Sequence, residues 1–128
     1  MNKTTFALAA SVATILVAGG AAAQSGNAAR GERLFNQQCK ACHTLGKDGA
    51  STVGPNLHGL LGRKAGSTEG FSSSDAMKTS GIVWDDKTLA EYLKDPKGRV
   101  PGTRMVYAGL KQEAQQADMI AFLNKATR

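Results

Sequence analysis

The chain has 128 residues, of which 41% are hydrophobic, and its 16 basic and 10 acidic side chains give a net charge of +6. This length allows one small domain after an N-terminal targeting segment. The moderate positive charge favours docking to an acidic protein surface. The positive charges are dispersed, which disfavours nucleic-acid binding. A disulfide between the two cysteines, Cys39 and Cys42, would close almost no loop and would stabilise little.

The first 23 residues are typical of a secretory signal peptide. Lys3 supplies a positive start, residues 6–18 are mostly apolar, and 21–23 are the small residues that a signal peptidase requires. A transmembrane anchor is disfavoured because this apolar run is shorter than the roughly 20 residues that a span needs. We expect cleavage after Ala23 and a periplasmic mature domain, residues 24–128, with 15 basic and 10 acidic residues.

The first predicted helix of the mature domain covers residues 28–38, with Asn27 as its N-cap. Ala28, Gly31 and Phe35 share one face of this helix. A glycine inside a helix costs about 1 kcal/mol relative to alanine, so Gly31 predicts a close helix crossing at that position.

Directly after this helix comes Cys39-Lys40-Ala41-Cys42-His43, a Cys-x-x-Cys-His sequence typical of covalent haem attachment. Two thiols at this spacing can add to the two vinyl groups of one porphyrin, and the adjacent imidazole can then bind the iron. A zinc site is disfavoured because no second cysteine pair exists, and a thioredoxin-like domain because no βαβ pattern surrounds the motif. A haem-free thiol–disulfide oxidoreductase is an alternative that the presence of bound haem would exclude.

The remainder of the chain predicts an all-α fold with long loops and no strand pattern. Residues 44–74 are rich in glycine, and such a long loop is expected where apolar side chains pack on a large flat cofactor. A short helical turn is predicted at 75–78, a helix at 86–94, a loop at 96–110 and a last helix at about 111–125. In the loop, Leu57, Leu60 and Leu61 are the candidates for packing on the cofactor. The apolar side chains of the two longer helices are Leu89, Tyr92, Leu93, Ala117, Ile120, Ala121 and Leu123, the last four flanked by Met119 and Phe122.

A haem iron bound by His43 needs a second axial ligand or keeps an open position. Met77, Met105, Met119 and His58 are the candidates. Met119 lies mid-helix, where a methionine more commonly packs in the core than binds a metal. His58 lies in a loop, where a histidine side chain more commonly forms a hydrogen bond to the backbone. Met105 follows a Pro-Gly pair in an irregular loop, which can present a side chain to the iron at an angle that a helix cannot.

Five segments together resemble class I cytochrome c, and most closely its mitochondrial type and soluble bacterial relatives. They are residues 39–44 (CKACHT), 54–64 (GPNLHGLLGRK), Trp84, 92–93 (YL) and 101–105 (PGTRM). The resemblance covers nearly all of residues 27–127. It implies a small all-α fold in which the N- and C-terminal helices cross and loops wrap round one covalent haem. It also implies a one-electron carrier that is not an enzyme.

The same resemblance implies how the haem is held. Cys39 and Cys42 would form the thioether bonds, and His43 and Met105 would be the axial iron ligands. The carbonyl of Pro55 would accept a hydrogen bond from the His43 ring and fix its orientation.

Four further residues are implied around the haem. Tyr92 and Thr103 would form hydrogen bonds near the axial methionine, and Arg63 and Trp84 would lie near the inner propionate. Away from the haem, the resemblance implies that Gly31 and Phe35 cross the last helix at Met119 and Phe122.

Two positions depart from the family pattern. Ser73 stands where the family usually has a tyrosine that reaches a propionate, and Met77 stands where an asparagine is often close to the haem. Both changes remove polar side-chain reach from the lower edge of the haem. The propionate network and the reduction potential are therefore left open, and Met77 becomes a rival candidate for the iron.

Membrane redox complexes are the implied partners of a monomeric carrier. A quinol–cytochrome c reductase would be the donor, and an oxidase, a photosynthetic reaction centre or a denitrification reductase the acceptor. The basic residues expected to dock are Arg33, Lys40, Lys97, Arg104 and Lys111. A gas-binding or catalytic haem protein is the second hypothesis, but no obvious distal acid–base pair supports it.

Overall fold

A computed structural model describes residues 25–128, so the predicted signal peptide and its cleavage site lie outside the described residues. The described chain forms helices α1 Ala28–Gln38, α2 Asp75–Thr79, α3 Asp86–Lys94, α4 Pro96–Arg99 and α5 Glu113–Ala126. Within residues 25–128 the only strand-like pairing is an isolated antiparallel bridge between Lys64 and Val83, which confirms the all-α prediction. In the same range no helix is long and apolar enough to cross a membrane.

The first and last helices, α1 and α5, pack against each other, as the resemblance implies. A Cβ atom on Gly31 would overlap the backbone carbonyl of Asp118 and would lie 2.7 Å from the Cβ of Phe122. The rings of Phe35 and Phe122 are 5.4 Å apart, and Met119, on the same helix as Phe122, is 1% exposed. The predicted crossing is therefore confirmed, and the absence of a side chain at Gly31 is what permits it.

A buried carboxylate joins the two crossing helices at the start of α1. Asp118 is 4% exposed and accepts from the Asn27 backbone N–H at 2.6 Å and from Arg30 Nε at 2.7 Å. The side chain of Asn27 in turn caps α1 by accepting from the Arg30 N–H at 3.0 Å. The hydrogen bonds from Arg30 and from the Asn27 backbone hold the pKa of Asp118 below its usual value.

This pKa shift predicts how stability changes with pH. The pKa of Asp118 is lower in the folded protein than the roughly 3.9 of an unfolded aspartate. The ionised carboxylate therefore stabilises the folded state above the unfolded pKa, and this stabilisation is lost as pH falls through the folded pKa. We expect Asp118→Asn to lower the free energy of unfolding at neutral pH and to differ progressively less from wild type below pH ~4. Denaturant titrations across this pH range would measure it. The exposed Asp48→Asn variant is the control, and a penalty for Asp118→Asn that is independent of pH would contradict the ion pair.

Helix α3 has its predicted bounds, whereas the segment that follows it differs from the prediction. Asp85 caps α3 by accepting from the Thr88 N–H at 2.7 Å. The predicted loop at 96–110 is wrong in its first four residues, which form α4. Pro96 takes the first helical position, and Asp95 accepts from the Gly98 N–H at 3.1 Å, so local capping starts a new turn where α3 ends. Helix α2 is one residue longer than predicted.

The last helix begins two residues later than predicted, because the preceding residues are held against α3. The Leu110 N–H donates to the Leu93 carbonyl, and Lys111 Nζ donates to the Lys94 carbonyl at 2.7 Å. On the predicted apolar side of α5, Leu123 is buried and Ile120 packs half-buried against the core, while Ala117 and Ala121 are half-buried. The buried residues of the helix are Gln116, Asp118, Met119 and Leu123.

The loop at 44–74 contributes leucines to the core, and two of the three that were expected to pack on a cofactor, Leu57 and Leu60, line the central cavity. Leu60 is 5% exposed, and Leu57 and Leu61 are half-buried against the same core. The rings of Trp84 and Tyr92 lie 5.3 Å apart and complete its aromatic part. The loop and helix α3 thus form walls of one central space.

Candidate haem site

A cavity of about 300 Å³ lies inside this frame. All nine residues that the resemblance implies for haem binding line it, although they come from segments far apart in sequence. They are Cys39, Cys42, His43, Pro55, Arg63, Trp84, Tyr92, Thr103 and Met105. The cavity brings the proposed thioether, axial and propionate-facing groups to one place, which is the arrangement that one porphyrin requires.

The His43 ring is held from two sides. Its Nδ1 lies 2.8 Å from the Pro55 carbonyl oxygen, so Nδ1–H donates and the Nε2 lone pair is left for a metal. A Cβ on Gly54 would overlap the ring, so a glycine is needed there. Burial lowers the pKa of His43 and outweighs the opposite effect of the Pro55 hydrogen bond, which favours the neutral imidazole that ligates metals.

The two cysteines lie in the turn that ends α1. The Cys39 N–H donates to the Phe35 carbonyl at 2.8 Å, and the Cys42 and His43 N–H groups donate to the Cys39 carbonyl at 3.0 Å. Burial and the neighbouring Cys42 raise the pKa of Cys39 to about 11. Such a thiol carries almost no thiolate at neutral pH, which argues against a disulfide oxidoreductase.

A zinc site of the usual kind is also absent from the part of the chain that the structure describes. Across residues 25–128 no group of three or more His, Cys, Asp or Glu side chains could hold a metal ion. His58 does not line the haem cavity and lies instead in a shallow surface pocket beside Lys47 and Glu69.

Two polar neighbours hold Met105, Tyr92 at its sulfur and Thr103 at its backbone. The Tyr92 hydroxyl lies 3.6 Å from Met105 Sδ and 2.8 Å from Thr103 Oγ1, and Thr103 Oγ1 accepts from the Met105 N–H at 3.4 Å. Burial raises the pKa of Tyr92, so its hydroxyl stays protonated and can donate to the sulfur. Met77 and Met119 also line the cavity, but within residues 25–128 only the Met105 sulfur accepts a hydrogen bond.

Arg63 places a cation at the cavity wall. Its Nη1 donates to the His58 carbonyl at 2.9 Å and its Nη2 to the Asn56 carbonyl at 3.1 Å. Among residues 25–128 the ion pairs are Arg30–Asp118 and Arg99–Glu91, so Arg63 has no carboxylate partner there. A half-buried guanidinium without a counterion fits an anionic group such as a haem propionate.

The cavity is also lined by the two positions that depart from the family pattern and by one pair to which the sequence assigned no role at the haem. Ser73 is 7% exposed and lines the cavity with Met77, so the two departures from the family pattern face the haem space. Gln38 and Tyr107 line it as well and are hydrogen-bonded to each other at 2.6 Å. The two residues are 69 positions apart, and nothing in the local sequence pairs them.

Comparisons with known proteins agree with this geometry. The family model described as "Cytochrome c" matches residues 28–127. Cytochrome c of Stellaria longipes is 49% identical over 82% of this chain and 97% of its own length. Cytochrome c of Theileria annulata is 53% identical over 80% of this chain and 88% of its own. Cytochrome c2 of Blastochloris viridis is 48% identical over 94% of this chain and 87% of its own.

These matches cover the helices, the Cys-x-x-Cys-His motif and the Met105 loop together. Proteins of this family carry covalent haem c and are electron carriers rather than enzymes, and Cys39 and Cys42 stand where the attachment motif requires them. The chain belongs to the class I cytochrome c family and is a haem-containing electron carrier.

Proposed function

We propose that this protein is a periplasmic carrier that shuttles single electrons between respiratory or photosynthetic complexes, with His43 and Met105 as axial ligands. The observation that carries the proposal is the cavity with the Pro55-oriented His43 ring and the Tyr92-oriented Met105 sulfur. When bound, the haem supplies a one-electron Fe(III)/Fe(II) couple, and thioether ligation raises its potential.

The protein's own residues would then keep the site rigid and dry. Pro55 would fix the imidazole, Tyr92 and Thr103 would position the thioether, and Arg63 with Trp84 would face the inner propionate. The buried apolar walls disfavour the extra positive charge of the oxidised state. This effect raises the reduction potential, as does ligation by the methionine sulfur. Because Pro55, Tyr92 and Thr103 already make their hydrogen bonds, little rearrangement should accompany the change of charge.

Export to the periplasm is supported by the N-terminal segment and by one relative. The cytochrome c2 match covers 94% of this chain and so extends into residues 1–23, whereas the Stellaria and Theileria matches cover about four fifths. Lys3, the apolar run and the Ala21–Ala23 triplet are the features of a cleavable signal. The mature protein, a single domain of residues 24–128, should begin at Gln24, and N-terminal sequencing that began at Met1 would contradict cleavage.

Docking of acidic partners is supported by the exposure of all five proposed basic residues, Arg33, Lys40, Lys97, Arg104 and Lys111. Redox encounters use small, weak interfaces in which charge raises the rate of association. Val106 lies between Arg104 and Lys111 in the chain. It is 96% exposed at the edge of the haem cavity and would give the interface an apolar centre. A quinol–cytochrome c reductase is the proposed donor, and an oxidase, a reaction centre or a denitrification reductase the acceptor.

Reversal of one docking charge should slow electron transfer. We expect Lys97→Glu to lower the rate of reduction by purified quinol–cytochrome c reductase at low salt, and to weaken the dependence of that rate on salt, because one favourable charge becomes repulsive. Lys125→Glu, which changes an exposed charge outside the proposed docking set, is the matched control. If Lys97→Glu kept the wild-type rate and salt slope, the docking proposal would be wrong.

A further inference from the structure

The loop that carries Met105 is poorly held by its own backbone. Thr103 donates its N–H to the Val100 carbonyl before the methionine, and Leu110 donates to the Leu93 carbonyl after it. Between these points, among the described residues, no backbone–backbone hydrogen bond involves residues 106–109. The loop therefore depends on side chains to keep its shape beside the cavity.

One side-chain hydrogen bond holds this weak stretch. The Tyr107 hydroxyl donates to Gln38 Oε1 at 2.6 Å, and both residues line the haem cavity. Gln38 is the last residue of α1 and directly precedes Cys39. The bond thus ties the loop that carries the proposed sixth ligand to the segment that carries the thioether bonds and His43.

We propose that this hydrogen bond, which we call the Tyr107–Gln38 latch, holds the Met105 loop in place and makes Tyr107 a positioning residue for the axial sulfur. The latch deepens the proposed function, because it rests on Met105 being an iron ligand. Opening it would free residues 106–109 and lower the cost of moving Met105 away. A small exogenous ligand would then compete more easily for the same coordination position.

The test is imidazole binding to the oxidised holoprotein. Binding is monitored by the loss of the charge-transfer band between the methionine sulfur and the iron, which we call the thioether-to-iron band. Tyr107→Phe removes only the hydroxyl, and Gln38→Leu removes the acceptor while keeping a good helix former. A net hydrogen bond of this kind predicts that each variant binds imidazole about threefold to tenfold more tightly. Because both variants break the same bond, the double variant should bind no more tightly than either single variant.

Two further variants separate the latch from a general loss of stability. Gln38→Glu keeps an acceptor oxygen at the same reach and should retain the wild-type imidazole affinity. Asn124→Ala removes a hydrogen bond of 2.8 Å to Asp86 between α5 and α3, and should also leave that affinity unchanged. Single variants with wild-type affinity, or singles whose effects add fully in the double variant, would overturn the latch.

A second readout keeps the latch and the axial ligand distinguishable. Amide hydrogen exchange at Met105 and Leu110, whose N–H groups are hydrogen-bonded at the two ends of the loop, should accelerate in Tyr107→Phe and Gln38→Leu but not in Gln38→Glu, whichever side chain binds the iron. A wild-type protein without the thioether-to-iron band would contradict Met105 as ligand, and the exchange rates would still decide the latch. Unchanged exchange in both latch variants would overturn it.

Discussion

The Met105→Ala variant should bind carbon monoxide when reduced, whereas the wild-type protein should not. Removal of the proposed Met105 ligand would leave an open position on an iron that His43 would still hold. No other sulfur in the described loop accepts a hydrogen bond from Tyr92. The reduction potential of the variant should also fall, on the order of a few tenths of a volt, because the axial ligand is a main determinant of haem potential. A carbon monoxide difference spectrum and a redox titration would measure both effects.

The matched control for this experiment is Met77→Ala. Met77 lines the same cavity from the short helix α2, and it is the rival methionine that the sequence offers. We expect Met77→Ala to remain closed to carbon monoxide. If Met77→Ala bound the gas and Met105→Ala did not, the two methionines would have to exchange roles. A carbon monoxide complex of the wild type would mean that the distal position is open or labile.

The Gly31→Ala variant should be the most destabilising single-methyl change among the helices. Alanine is about 1 kcal/mol better than glycine inside a helix, so propensity alone predicts a more stable protein. The new Cβ would instead overlap the Asp118 carbonyl, a backbone atom that cannot rotate away, and would crowd Phe122. We expect a net loss of about 2–3 kcal/mol, a large share of the roughly 5–15 kcal/mol that stabilises a small domain.

Denaturant unfolding of the holoprotein would measure this loss, with Gly46→Ala as the control. The Cβ that alanine would add at Gly46 meets no heavy atom within 4 Å among the described residues, and the position does not require a positive φ. Gly46→Ala should therefore change the stability by no more than about 0.5 kcal/mol. Equal stabilities of Gly31→Ala and wild type would show that α1 and α5 are able to separate without cost. The close approach at the crossing would then not explain the glycine.

Features encoded in a few adjacent residues were predictable from the sequence. The haem motif lies within five residues, so its chemistry needs no tertiary information. The starts of α1 and α3 follow from Asn27 and Asp85, whose side chains cap N–H groups three residues further on. The nine site residues were implied by the resemblance, and the structure places all of them around one cavity.

Features that depend on distant contacts were not predictable. The start of α5 was misplaced because Leu110 and Lys111 bond to the end of α3. The buried positions of Gln116 and Asp118 contradict a simple apolar face. Gln116 donates to the Leu110 carbonyl and Asp118 accepts from Arg30, and helical periodicity reveals neither partner. Periodicity reports which residues share a face, but it does not report which polar side chains find partners beyond their own helix.

The sequence by itself therefore determined the attachment chemistry, the all-α class and the need for a close crossing at Gly31, because each depends on local spacing or on one residue type. The resemblance implied that Tyr92 and Arg63 lie near the haem, but only the tertiary structure decided which atoms they contact. Tyr92 donates to the Met105 sulfur, Arg63 donates to two backbone carbonyls, and Tyr107 meets Gln38. These pairings join residues that are up to 69 positions apart, and packing of the loops against the helices sets which of them meet.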